Sequence, residues 1–355
     1  MPIVPIYGHA HLRERLLGAF GSGRLPASLL LHGPAGVGKQ RLALWLGSML
    51  LCEANGRPCG ACQACRYSGE LAHPDLHWIF PRPRLKDADA SHADVRQDYA
   101  DAIADRLAAN GLYPRPSGSE GIFVAAVRSI VHRAGISPAL ARRKVFVVGD
   151  AERMVPQEGS DMAANAFLKL LEEPPADTTI IVTSSEPGAL LPTIRSRVVS
   201  VRVAPLAEGD MRAFLADPVV AKALDGESLP KDVAARLAIA AGAPGELLGG
   251  SERDAARTSA RRILDAAESG DRAAALRVAF AQGASGARGR FTDTLDALAI
   301  LLHDRTRVRI ERGDEPAAER SARAIDAVER ARELASGNVS PNLVTADLFR
   351  ALAER

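Results

Sequence analysis

Cys52, Cys59, Cys62 and Cys65 are the only cysteines in the chain, spaced C-x6-C-x2-C-x2-C. A C-x2-C spacing lets two thiolates from one turn reach a single tetrahedral ion. Four sulfurs with none to spare describe a closed, structural zinc site and leave no open position for catalysis. In a reducing compartment such clustering favours metal over disulfides. Four free buried thiols are the plainer alternative, which close spacing in a loop with Gly and Pro argues against. His73 and His77 lie nearby. Because four sulfurs complete the shell, both read as packing or surface histidines.

A second group of residues could hold phosphate. Gly33-Pro34-Ala35-Gly36-Val37-Gly38-Lys39-Gln40 follows an apolar run and opens an amphipathic stretch. In the pattern G-x-x-x-x-G-K, the glycines let backbone N–H groups turn toward phosphate oxygens, and Lys39 reaches the terminal phosphates. The helix N-terminus adds a positive partial charge. A chance Gly-rich turn is the alternative. The position after the lysine departs from the pattern: magnesium wants a Ser or Thr hydroxyl there, and Gln40 offers an amide.

The acidic strand such a loop needs departs as well. Lys144–Val148 is the hydrophobic run, but the next residue, where a metal-holding acid belongs, is Gly149. Asp150 falls one later, where a water-polarising Glu is expected. Capping of the following helix by Asp150 and Glu152 is an equally open reading. Either way, hydrolysis by this chain is not expected.

Elements that would position these groups are legible from periodicity. Short runs rich in Val, Ile and Leu at Ser28–His32, Asp75–Phe80, Lys144–Val148, Thr179–Thr183 and Val198–Val203 alternate with helix-length sequence, the mark of a parallel α/β sheet. Residues 81–121 interrupt it. Their Pro-, Gly- and charge-rich ends predict a surface insertion, with a helix over Ala93–Asn110 placing Val95, Ile103 and Leu107 on one side. From Pro205 onward the pattern is helical. A break at Gly242–Gly250 divides that half, and Leu295, Leu298 and Leu302 share a face beyond it, as do Ile325 and Val328.

Composition narrows the class. At 355 residues, 47% hydrophobic and 25% charged, the chain reads as a multidomain globular protein. Its net charge of +2 gives no global field for nucleic acid, and 4% aromatics is too few for a base-stacking platform. No apolar window is long enough to span a membrane, and the N-terminal residues do not resemble a secretory signal, so a cytoplasmic location is expected.

Taken together, the parts resemble the AAA+ clamp-loader family of bacterial DNA polymerase III, in particular its delta-prime members. The resemblance rests on Gly23-Arg24-Leu25-Pro26 and Leu29-Leu30-Leu31 ahead of the phosphate loop, the four-cysteine module after it, and His73-Pro74-Asp75. It rests most on Ala164-Asn165-Ala166-Phe167-Leu168-Lys169-Leu170-Leu171-Glu172-Glu173-Pro174-Pro175. Thr193-Ile194-Arg195-Ser196-Arg197 is similar to the family's Ser-Arg-Cys motif, with Val198 in place of the cysteine. It covers about residues 1–250 specifically. It is weaker beyond, where Asn338-Val339-Ser340-Pro341-Asn342-Leu343 looks like the entry to the last helix.

The resemblance implies a RecA-like AAA+ domain over 1–205 with a parallel sheet, the zinc module (52–65) and the insertion (81–121). A small helical lid over 206–250 and an all-α collar over 251–355 would follow. It implies a five-membered ring with clamp-loader motor subunits and a delta subunit, acting on primer–template DNA through the complex and on the sliding clamp indirectly. Motor subunits carry a hydroxyl after the lysine, an acidic pair after the strand and an arginine in the lid. Gln40, Gly149 and Gly245 stand there in this chain. The expected role is therefore a non-hydrolysing stator of the polymerase III holoenzyme, itself without ATPase or polymerase activity. Whether ATP binds stays open. Arg197 is then the candidate arginine finger, donated in trans to a neighbour's nucleotide. The alternative reading of Arg197 is a surface ion pair. Thr183 and Ser184 fall where such proteins keep a polar sensor, and Arg128 and Arg133 on a helix that could meet DNA. Two other functions compete: a catalytically active clamp-loader ATPase, resting on the intact Gly33–Lys39 loop, and a zinc-dependent DNA-binding module, resting on the cysteines alone.

Overall fold

The computed structural model describes residues 3–85, 87, 90–116, 120–154, 161–227, 229–281, 288–311, 313–336 and 339–353. Asn338 and parts of the 81–121 insertion lie outside the described residues. The chain divides into two compact units, residues 1–115 with 121–249, and 116–120 with 250–355.

The first unit opens with α1 (Ala10–Gly21), β1 (Ser28–His32), α2 (Lys39–Leu51), α3 (Gln63–Gly69) and β2 (Leu76–Ile79). Next come α4 (His92–Ala108), α5 (Val124–Ala134), β3 (Lys144–Val148), α6 (Asp161–Glu172), β4 (Thr178–Ser184), α7 (Pro192–Arg195) and β5 (Val199–Arg202). The five strands form one sheet in the order β2-β3-β4-β1-β5, every pair parallel. β3 and β4 are buried along their whole length, which explains their unbroken apolar runs: helices cover both faces of a parallel sheet. All five expected strands are present. Asp75, expected in β2, precedes it, and its carboxylate instead accepts the backbone N–H groups of Ala139, Leu140 and Ala141 at 2.6–2.8 Å.

The insertion is more than a surface feature. Its helix α4 starts at a capping box between Ser91 and Asp94 and buries Val95, Tyr99 and Ala102 in the main core. The expected partners Ile103 and Leu107 are only half-buried. On the same helix, the Arg106 guanidinium lies 4.6, 3.3 and 3.9 Å from the ring centres of Trp78, Phe80 and Tyr113. Three ring faces make an interior position tolerable for this cation, so a polar-looking sequence docks firmly.

After β5 come α8 (Glu208–Ala216), α9 (Pro218–Leu224) and α10 (Val233–Ala240), then a 3-10 turn over Pro244–Leu247. Asp217 caps α9 ahead of Pro218, and Asp232 caps α10. Leu206, Met211, Phe214, Val220, Leu224 and Leu247 form their core, with Val4 from the N-terminal segment.

The second unit is helical: α11 (Gly250–Ser269), α12 (Arg272–Ala281), α13 (Arg288–Glu311), α14 (Glu315–Ser336) and α15 (Pro341–Ala353). Leu295, Leu298 and Leu302 are buried as their spacing predicts, against Ile263, Val328 and Val344. Among the described residues no helix is long and apolar enough to cross a membrane.

Candidate functional site

Parallel strands deliver their C-terminal ends to one edge of the sheet, where ligands of such folds bind. Gly33 to Gly38 span the turn from β1 into α2 at that edge, with Gly33 directly after the strand and Gly38 directly ahead of the helix. Lys39 is the first residue of α2, and only 5% of it is exposed. Its ammonium donates to the Gly33 carbonyl (2.9 Å), the Pro34 carbonyl (2.8 Å) and the Ser185 hydroxyl (2.8 Å). An ammonium has three protons, so all three are committed within the chain. Burial lowers its pKa from 10.5 to about 8, against the opposing pull of Asp150 and Glu152.

The residue after Lys39 is tied to the protein's own side chains. Gln40 donates from Nε2 to Asp150 Oδ2 (2.9 Å) and accepts at Oε1 from the Trp78 indole N–H (2.9 Å). The room its amide occupies exists because residue 149 is glycine: a Cβ there would lie 2.4 Å from Gln40 Oε1. Burial, and after it Glu152, push the Asp150 carboxyl up. Asp150 does not cap the turn that follows; its carboxylate belongs to Gln40. Glu152 accepts instead from the Ser185 N–H at 2.9 Å. Thr183 and Ser184 end β4, and Thr183 Oγ1 accepts from the Asp150 N–H at 3.1 Å.

The turn after α10 closes over the loop. The Gly245 N–H donates to the Gly36 carbonyl at 3.0 Å. The approach requires glycine on both sides: a Cβ on Gly245 would stand 2.8 Å from Gly36 Cα, and one on Gly36 3.2 Å from Gly245 Cα. Glu246, next in that turn, pairs with Arg115.

Arg197 lies apart from this cluster, just after α7. Its Nε donates to Glu172 Oε2 (3.2 Å), and its Nη1 to the Thr193 carbonyl (3.0 Å) and Ser196 Oγ (3.3 Å). The side chain is 29% exposed. Arg195, two residues earlier, is exposed. On α5, Arg128 is exposed and Arg133 half-buried.

The cysteines converge between α2 and α3. All four Sγ atoms lie within 4.8 Å of one another, with Cys59–Cys65 at 3.9 Å and Cys62–Cys52 at 3.8 Å. A tetrahedral ion with bonds of about 2.3 Å separates its sulfurs by about 3.8 Å, so the set fits zinc. Without an ion, backbone N–H groups of Cys62 and Ala61 lower the Cys59 thiol to about 6, while burial raises the Cys65 thiol to about 12. His73 and His77 stand outside the set: His73 is buried, its Nδ1 accepting from the Asp75 N–H at 3.0 Å, and the His77 ring packs against Phe146 at a 30° tilt.

Sequence reasoning missed Trp78, Tyr113, Arg115, Ser185 and Glu246. None belongs to a local motif; each reaches the loop only through the fold. The one available signal is a Trp on the strand beside Lys144–Val148, a polar-tipped ring that needs an acceptor when buried.

Known proteins resemble this chain in sequence. The family described as "DNA polymerase III, delta subunit" matches residues 8–207. A DNA polymerase III subunit delta′ from Pseudomonas aeruginosa is 34% identical over 172 residues, 48% of this chain and 40% of that protein. The one from Escherichia coli K12 is 28% identical over 264 residues, 73% and 65% respectively. A gamma/tau subunit from Mycobacterium bovis is 30% identical over 213 residues, 59% of this chain and 30% of that protein. The matched region thus spans less than two thirds of each relative. Among solved structures, a gamma subunit-related protein from Thermotoga maritima covers 96% of this chain and 99% of its own, at 18% identity and a TM-score of 0.41. With its family matched over more than half its length, the chain belongs to the delta-prime family of DNA polymerase III clamp-loader subunits.

Proposed function

We propose that this chain is a non-hydrolysing stator of the clamp-loader complex. It supports loading of the sliding clamp onto primed DNA and donates Arg197 in trans to a neighbouring ATPase subunit. The observation that carries this reading is the Gln40 amide, fixed between Trp78 and Asp150 in the room left by Gly149. A magnesium ion needs oxygen ligands there, and this chain offers a committed amide and no acid directly after β3. Three parts serve the role: an AAA+ domain over 1–205, a lid over 206–250 and a collar over 251–355 joining a five-membered ring. Zinc on the four cysteines is structural.

Arg197 supplies what a stator can still give. Its planar guanidinium, held at Nε and Nη1 by Glu172, Thr193 and Ser196, keeps its Nη2 for an external phosphate. Such an arginine is worth about 10³–10⁵ in rate to the subunit that receives it.

The second reading is a working ATPase, favoured by the complete Gly33–Lys39 pattern. Reconstituted complexes separate the two. Arg197→Ala should leave assembly intact and lower DNA-stimulated ATP hydrolysis, while the isolated chain releases no phosphate with Mg²⁺. Normal hydrolysis by the Arg197→Ala complex would overturn the finger. Turnover by the isolated chain that vanishes in Lys39→Ala would make it a motor.

A further inference from the structure

Residues Asn110–Arg115, the return of the 81–121 insertion toward the core, touch the N-terminal segment, β2, α4 and the helices and turn that follow β5. The Asn110 carbonyl accepts from the Val4 N–H at 2.8 Å, and Arg41 of α2 donates to the Val4 carbonyl from the other side. Leu112 packs in the cluster formed by Leu206, Met211, Phe214 and Leu247. Tyr113 faces Trp78, its ring centre 5.9 Å away, and the Arg106 guanidinium. Pro114 abuts Gly249: a Cβ on that glycine would meet Pro114 Cβ at 2.7 Å. Arg115 pairs with Glu246, whose backbone N lies 3.2 Å from the position of a Cβ on Gly36.

We propose that Asn110–Arg115 is a strap that fastens the Pro244–Leu247 turn onto the phosphate loop and is the element that keeps nucleotide out. The inference rests on the non-hydrolysing reading and extends it to the residues responsible. Its logic is one of occupancy. A bound triphosphate needs the loop's open face and the Lys39 ammonium. In this chain Gly36 is covered by Gly245 and Glu246, and Lys39 is taken by Gly33, Pro34 and Ser185. Arg115 adds its charge to the same corner, where it lowers the pKa of Lys39. A strap that binds core and lid at once replaces the ligand that would otherwise bridge them, and fixes their geometry without one.

The test uses the full zinc-loaded chain, Arg115→Ala combined with Tyr113→Ala, and Glu246→Ala alone. Glu246→Ala breaks the same ion pair from the lid side without removing core volume, so the strap stays testable if the double variant folds poorly. Amide exchange of residues 244–248 and binding of a fluorescent ATP analogue without magnesium are the readouts. We expect exchange at 244–248 to rise about tenfold, unchanged protection in β3 and β4, and analogue binding that the wild type lacks. Unchanged exchange at 244–248 in both variants overturns the strap. Faster exchange with no analogue bound overturns it as the excluding element and leaves the stator reading standing. Analogue binding by the wild type equal to the variants also overturns it. ATP turnover by the wild-type chain strikes the stator reading instead, and the exchange data then judge the strap separately.

Discussion

Gln40 and Gly149 stand in a reciprocal relation: the glutamine oxygen lies 2.4 Å from where a Cβ on the glycine would be. Either residue alone is a departure from a nucleotide site; together they are one replacement. An acid after β3 and a long amide after the lysine cannot share the space.

Gly149→Asp should therefore destabilise the chain by about 1–3 kcal/mol through overpacking. Combining it with Gln40→Thr removes the obstructing amide and should recover most of the loss. Urea unfolding of the two single variants and the double variant gives the coupling energy. Additive effects would show that the two residues do not compete for space.

Arg106 makes a second, larger prediction. Its guanidinium is enclosed by Trp78, Phe80 and Tyr113, so Arg106→Ala removes both a cation–π partner and the packing of its stem. A loss of about 2–4 kcal/mol is expected, with Arg106→Met recovering the packing share. Thermal unfolding followed by tryptophan emission reads both, because Trp78 forms one wall of the cage. A melting temperature unmoved in Arg106→Ala would place the energy of docking elsewhere on α4.

The sequence is most legible where one element speaks for itself. β3 and β4 are buried on both faces and so are written in continuous apolar residues, which periodicity reads directly. Cys52, Cys59, Cys62 and Cys65 are readable because C-x2-C spacing encodes geometry locally. The insertion reads as surface because its ends are rich in Pro, Gly and charge, yet its helix docks on the core and Arg106 lies among aromatic rings. The rings of Trp78, Phe80 and Tyr113 around its guanidinium become visible in the fold. Gln40 is readable as a departure, but not its bonds to Trp78 and Asp150, 38 and 110 residues away in sequence. The Arg115–Glu246 pair carries no local signal at all.

Zinc should be present at about one ion per chain, held by the four thiolates. Cys62→Ser should lose the ion and lower the melting temperature, because the free energy of binding a structural metal is folding free energy. Metal analysis of the purified chain, with melting before and after a strong chelator, checks this. Full stability without bound metal would leave the cysteines as packing residues.

Arg197 and Glu172 form a partly exposed ion pair, with side chains 29% and 56% exposed. Breaking it should cost the isolated chain at most about 1 kcal/mol. Arg197→Ala and Glu172→Ala should accordingly melt close to wild type. A large destabilisation would make the arginine a structural residue, and loss of complex activity could then not be assigned to donation in trans.

The pH dependence of folding should bear the mark of His77. Burial first, and the Arg133 charge second, push its imidazole from 6.5 down to about 4, where it packs against Phe146 with ring centres 4.8 Å apart. The folded chain keeps His77 neutral between pH 6.5 and 4, while the unfolded chain takes up a proton there. The unfolded state then binds more protons, so stability must fall as pH drops through this window. His73 is lowered by burial as well and adds to the same slope. Asp75, held below its usual 3.8 by three backbone N–H groups that outweigh the cost of its burial, adds a slope of the same sign that sets in at the lower end of this window and continues below it. His77→Phe retains a ring against Phe146 without the titration, and should flatten the stability profile between pH 6.5 and 4 while His73 keeps a residual slope. Chemical unfolding of wild type and variant at matched pH values measures the difference. Parallel profiles would mean that His77 is protonated in the fold and that its contact with Phe146 does not exclude the charge.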